Sequence, residues 1–198
     1  MPDFINPFRS TPANHLDLNR TALSYEGQKM DYGSLERSAA ALAATISSLN
    51  LTIAHELGRA TIGISLHRGP NAFIAMLACL KAGCVVVPID PAHGEEYKRD
   101  LVETAQCGLV IADQPESWAD TSFQTFESLE AIKVAQVTPP TPLEAGDVGF
   151  VLFTSGTTGK PKGVMLALDA MLMAAAEFGA RTEINSKSII AQFTGLSF

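Results

Sequence analysis

One ten-residue string, residues 154–163 (TSGTTGKPKG), concentrates phosphate-binding chemistry within a sequence of 198 residues. Thr154, Ser155, Thr157 and Thr158 bring hydroxyls, Gly156, Gly159 and Gly163 bring glycines, and Lys160 and Lys162 bring ammonium groups. Glycine lets successive backbone N–H groups turn toward one anion with no Cβ in the way, while hydroxyls add donors and lysines add charge. A polyphosphate is the ligand such a set suits. The Walker pattern is not met, because Pro161 stands five residues after Gly156 and Lys160 is followed by proline, and there is no GxGxxG. A solvated Ser/Thr/Gly hairpin loop with hydrated lysines is the plain alternative.

The elements that must hold this string can be read around it. The apolar run 148–153 precedes it and the strand-like run 164–166 follows, with an Ala/Met-rich helix expected over 170–180 and a further strand over 189–193. Upstream, Leu35, Ala39, Leu42, Ile46 and Leu49 recur at steps of four and three, which predicts an amphipathic helix with Ser34 as its N-cap. Residues 61–66 (TIGISL) read as a buried strand. Gly69-Pro70 then opens a helix carrying Phe73, Met76, Leu77 and Leu80, Gly83 ends it, and 84–89 (CVVVPI) is a second strand. Strand, helix and strand with short connections make a βαβ unit, so these two strands are expected to be parallel. The pattern repeats with a helix over 95–106 and a strand over 108–112. Residues 113–137 give no clear assignment.

The resulting fold class is α/β, with mostly parallel sheet flanked by helices. Three stretches follow along the chain: a first α/β part over 1–137, a Pro-rich connector over 138–147, which is a domain linker or a long loop, and a phosphate-loop part over 148–198.

Composition narrows the function. Hydrophobic residues make up 46% and charged residues 18%, enough for a core and too little charge for a disordered chain. The balance of 14 Lys+Arg against 21 Asp+Glu, net −7, argues against a general electrostatic grip on nucleic acid or anionic lipid. Cys79, Cys84 and Cys107 form no CxxC pair and lie in apolar stretches, as buried reduced thiols do. His15, His55, His67 and His93 show no metal-ligand spacing, so no metal is assigned to the side chains. Without a leader-like start or a long apolar run, the expectation is a cytoplasmic chain with no membrane span.

TSGTTGKPKG resembles the phosphate-loop signature of the adenylate-forming, AMP-producing ligases, which include acyl-CoA synthetases and the adenylation domains of nonribosomal peptide synthetases. A second block agrees: residues 80–91 (LKAGCVVVPIDP) are similar to a block of the peptide-synthetase type. Two weaker matches are 31–36 (DYGSLE) and 196–198 (LSF). The resemblance runs from about residue 22 to residue 198 and identifies the chain as an incomplete N-terminal domain of such an enzyme.

What the resemblance implies is ATP-dependent activation of a carboxylic or amino acid. The carboxylate attacks the α-phosphorus, pyrophosphate leaves, and the adenylate passes to a thiol, phosphopantetheine on a carrier protein or coenzyme A. Thr154, Ser155, Gly156, Thr157, Thr158 and Gly159 would wrap the β- and γ-phosphates. Lys162 would reach them as the charge-stabilising cation, with Lys160 bound or merely solvated and Pro161 stiffening the exit. Residues 80–91 read as structural. After Leu166 the family usually shows a threonine-like residue and a histidine, where this chain has Ala167, Leu168 and Asp169. The magnesium ligands and the ribose, adenine and acyl contacts of the family are expected beyond Phe198, so little turnover is expected from this chain alone. An acyl-CoA synthetase or fatty-acyl-AMP ligase fragment, and a non-catalytic α/β module for a nucleotide or partner, remain as alternatives.

Overall fold

The structure, a computed structural model, describes residues 17–118, 120–132, 141–154, 160–185 and 187–197. It opens with a feature the sequence pattern did not announce, an antiparallel hairpin of β1 (Thr21–Tyr25) and β2 (Gln28–Asp31). Its turn uses Glu26 and Gly27, both at positive φ.

Helix α1 (Tyr32–Ser48) buries Ala39, Leu42, Ala43 and Ile46, the stripe expected from the periodicity. Its cap differs from the expectation. Asp31, not Ser34, is the N-cap, and its Oδ1 accepts the Ser34 backbone N–H at 2.6 Å. The reason is that the helix starts three residues earlier, which puts Ser34 inside the first turn as a donor. That hydrogen bond holds the Asp31 carboxyl below the ordinary carboxylate range.

A seven-stranded sheet follows, in the order β7-β6-β4-β5-β8-β9, with the short β3 (Ile53–Ala54) antiparallel to β4. Strand β4 (Arg59–Ser65) lies parallel to β5 (Val85–Pro88) on one side and to β6 (Cys107–Ala112) on the other. Between them run α2 (Pro70–Lys81), entered through Gly69-Pro70, and α3 (Glu95–Thr104). Gly83 takes φ +72, the left-handed stop, and a Cβ there would lie 2.1 Å from the Thr141 carbonyl oxygen. Only glycine fits. The unassigned stretch contains β7 (Ser122–Thr125), parallel to β6, and the short α4 (Phe126–Glu130), capped by the Thr125 hydroxyl.

Alternate residues of the central strands feed two cores, as a doubly covered parallel sheet requires. Val86, Ile62 and Ile111 pack with α1 and α2, whereas Val85, Val87 and Val110 pack with α3. Beyond the connector, Arg59 ties the chain back to the sheet through the Thr141 carbonyl and through Asp147 Oδ2 at 2.7 Å, and Leu143 is buried. Residues 138–140 of that connector lie outside the described residues. Strand β8 (Val148–Thr154) then joins the same sheet, parallel to β5, and β9 (Lys162–Ala167) returns antiparallel to it.

Helix α5 (Leu168–Arg181) covers the expected helix. The strand expected over 189–193 does not form: these residues are exposed, outside any helix or strand, and without a partner strand among the described residues. A strand exists only through its neighbour, and a run of apolar residues cannot supply one by itself. No helix among the described residues is long and apolar enough to cross a membrane.

Candidate functional site

The glycine-threonine string is the connection of a β-hairpin. Its ends are pinned by register, Thr154 opposite Lys162 and Phe153 opposite Gly163, leaving residues 155–161 to cross from β8 to β9. Thr154, Lys160 and Lys162 are exposed, and Pro161 between the lysines is buried. Ser155, Gly156, Thr157, Thr158 and Gly159 lie outside the described residues. Of the expected site, the structure therefore brings together the frame: one hydroxyl at the start and two cations at the exit.

Gly163 has a packing role that the sequence reading missed. A Cβ there would sit 3.0 Å from Val151 Cγ1 and 3.4 Å from the Phe153 ring, so any larger residue would push these side chains back by a few tenths of an ångström. Val151 is itself buried in the α3-side core. The loop is thus carried by a strand anchored in the main sheet, a rigid platform for a glycine-rich connection.

Because β8, β5, β4 and β6 run parallel, the segments leaving their carboxyl ends emerge on one edge. The chain places β5 on one side of β4 and β6 on the other, so the topological switch point lies between β4 and β6. Crevices outside the carboxyl ends of parallel strands are where open α/β sheets bind ligands. At the switch, Asp113 Oδ2 bridges to His67, accepting its backbone N–H at 2.8 Å and lying 2.6 Å from Nδ1. Just before it, the Ser65 hydroxyl is buried without a hydrogen-bond partner. No motif marks this pair, whose members are 46 residues apart. The only sequence signal was that each follows a predicted strand.

On the α3 side, the buried Lys98 donates to Glu116 at 3.0 Å and lies 5.0 Å from the centre of the Trp118 ring. This pair satisfies a charge that burial would otherwise penalise. The three cysteines are buried and unpaired, as expected. Burial raises the thiol of Cys84 to about 11 and that of Cys107 to about 12, and pushes Cys79 well up, so none is a ready nucleophile. Among the described residues no group of three or more His, Cys, Asp or Glu is placed to hold a metal ion.

The family model described as AMP-binding enzyme matches residues 10–198. Tyrocidine synthase 2 of Brevibacillus parabrevis is 30% identical over 195 residues, which is 90% of this chain and 5% of that protein. The N-terminal subdomain of Klebsiella oxytoca NpsA, solved with 3-hydroxybenzoyl-AMSN, is similar in structure with a TM-score of 0.77 and 27% identity, covering 91% of this chain and 45% of that one. An artificially fused adenylation-PCP di-domain, NpsA-ThdA, also from Klebsiella oxytoca, gives a TM-score of 0.65 and 30% identity over 75% of this chain and 30% of its own. The chain therefore spans less than half the length of these relatives. A match over nearly the whole sequence, on a fold shared with adenylation subdomains, carries one conclusion: this chain belongs to the AMP-binding enzyme family and corresponds to the N-terminal part of its adenylation domains.

Proposed function

We propose that residues 154–163 cradle the β- and γ-phosphates of ATP, and that this chain supplies the phosphate-gripping part of an enzyme that converts a carboxylic or amino acid to its adenylate. The observation that carries this reading is the pinned hairpin at the carboxyl edge of the sheet, with hydroxyls and glycines between Thr154 and Lys162 and two exposed lysines at its exit.

In the reaction a carboxylate oxygen forms a bond to the α-phosphorus while the bond from that phosphorus to the bridging oxygen of the β-phosphate breaks. Negative charge grows on departing pyrophosphate. Donors and cations fixed where that charge develops lower the barrier, which is the contribution assigned to the backbone N–H groups of Gly156 and Gly159, the hydroxyls of Thr154, Ser155, Thr157 and Thr158, and Lys162. Lys160, one residue before the buried Pro161, takes the outer position and screens charge as the nucleotide arrives.

Magnesium would neutralise part of the phosphate charge when bound, but the described residues provide no acidic cluster for it, so none of them is assigned to it. The thiol acceptor is assigned as phosphopantetheine on a carrier protein rather than coenzyme A, in line with the peptide-synthetase relative and the fused adenylation-PCP neighbour. The compartment proposed for the reaction is the cytoplasm, where ATP is available.

ATP binding by the chain, compared with its Lys162→Ala and Thr157→Ala variants, tests the cradle. Each variant is expected to weaken binding about tenfold, the loss of one charge-assisted contact. Unchanged affinity in both would remove the loop from the site. Pyrophosphate exchange is expected to be absent for the chain alone and would, if seen with an added acid, show that it is a complete adenylating unit.

A further inference from the structure

We propose that the cavity between α3 and residues 115–118 binds a small zwitterion, of which a free α-amino acid is the simplest kind. Its volume is about 440 Å³, and Glu95, Lys98, Arg99, Glu116, Ser117 and Trp118 line it. Sites for small molecules ordinarily start at about 300 Å³. Four of these side chains are charged and one carries a hydroxyl, so a guest must be polar to replace the water it displaces.

A buried donor defines one half of the guest. Trp118 is 5% exposed, its ring meets Phe123 edge-on, and its indole Nε1 is buried with no hydrogen-bond partner among the described residues. A buried indole N–H ordinarily finds an acceptor, and one left without it carries the full cost of its desolvation. A guest carboxylate supplies that acceptor.

Charge decides between a simple anion and a zwitterion. Lys98 and Glu116 already neutralise each other at 3.0 Å, which leaves Arg99 and Glu95 as the remaining charges of the lining. Arg99 donates through Nε to the Trp118 carbonyl, so its guanidinium is tied to the residue whose N–H is unmet, and its terminal nitrogens have no partner among the described residues. Glu95 stands four residues earlier on α3, about 6 Å along the axis, a spacing at which glutamate and arginine commonly pair. No ion pair joins these two among the described residues. A bare anion would face Glu95 and Glu116 as well as Arg99 and gain no net attraction. A guest whose carboxylate takes Arg99 and the indole N–H, and whose ammonium takes Glu95, matches all three. An α-amino acid carries both groups on one carbon. Nothing in this inference uses residues 154–163, so it and the phosphate cradle can fail separately.

The test uses the full chain, in which Trp118 is the single tryptophan, so intrinsic fluorescence reports on the cavity directly. The probe is L-glutamine, whose side chain adds polar groups without a further charge. Glutaramate, the same molecule without its ammonium group, and inorganic phosphate are the comparisons. Emission should change saturably with L-glutamine, and either comparison should bind about tenfold more weakly, the loss of one charge-assisted contact. Glu95→Gln should weaken L-glutamine about tenfold and remove its advantage over glutaramate, with the melting temperature of the parent. Trp118→Phe, followed by calorimetry because the fluorophore is gone, should also weaken binding while keeping the melting temperature, since the ring stays and an unmet donor is removed. Glutaramate or phosphate binding as tightly as L-glutamine overturns the proposal, as does no saturable change up to about 50 mM of the amino acid. An advantage over glutaramate that survives Glu95→Gln overturns it as well.

Discussion

Val85, Val86 and Val87 of β5 are consecutive and fully buried, whereas α5, also apolar along most of its length, buries Leu168 alone. The first region, β4 to β6, is closed by its own helices: α1 and α2 cover one face and α3 the other. The second, β8 to residue 193, is anchored through β5 and the Leu168 contact, and its far side is open. Hydrophobicity therefore means different things in the two places. In the first it is the chain's own core; in the second it is exposed surface, following the loop assigned to the nucleotide.

The contrast can be broken most sharply in the closed region. Ile62→Ala removes a side chain with no exposure from the α1/α2 core and should cost about 4 kcal/mol in urea unfolding. A cost below about 1 kcal/mol would mean the region is not packed as described. Gly83→Ala should cost about 3 kcal/mol, because a Cβ meets the Thr141 carbonyl and the residue sits at φ +72.

The thiols sharpen the comparison through pH. Folding raises Cys84 from 9.0 to about 11 and Cys107 to about 12, chiefly by desolvation. A raised acid constant means that the folded state holds its proton longer, so this stabilisation is complete below pH 9 and is lost as pH rises through about 11 and then 12. At pH 8, alkylation of Cys84 should be about 100-fold slower in the folded chain than in urea, two powers of ten for the shift in acid constant. Equal rates would place that strand end in water.

Phe178→Ala is the opposite probe. In the chain alone it should change stability by less than about 0.5 kcal/mol despite removing a phenyl ring, because that ring is already in solvent. A loss of 2 kcal/mol or more would show that α5 packs against its own chain.

Much of the closed region was legible in the sequence. Gly69-Pro70 and Gly83 bracket α2, and the β-rich runs on either side could only pair in parallel across so short a crossover. What escaped was short or dependent on distant partners. The β1–β2 hairpin is half exposed and turns at Glu26-Gly27 rather than at a strong hairpin dipeptide, and β7 is four residues of mixed polarity. The start of α1 was misplaced because both Asp31 and Ser34 are good caps, and only backbone geometry decides between them. At the candidate site, TSGTTGKPKG announced itself by composition. The tight fit of Gly163 against Val151 and the bridge of His67 to Asp113 required the strand register. Residues 189–193 were legible as strand material; that no strand forms is the absence of a neighbour, which sequence cannot show.

The claim on which the functional account rests is contact between the 154–163 loop and the outer phosphates of ATP. Phosphorus NMR of ATP titrated with the chain reads this directly, since the α-, β- and γ-phosphates resolve separately. The β and γ resonances should shift and broaden more than α, and Lys162→Ala should restore them toward those of free ATP. Unperturbed β and γ resonances at saturating protein, or a perturbation that Lys162→Ala leaves intact, would contradict it.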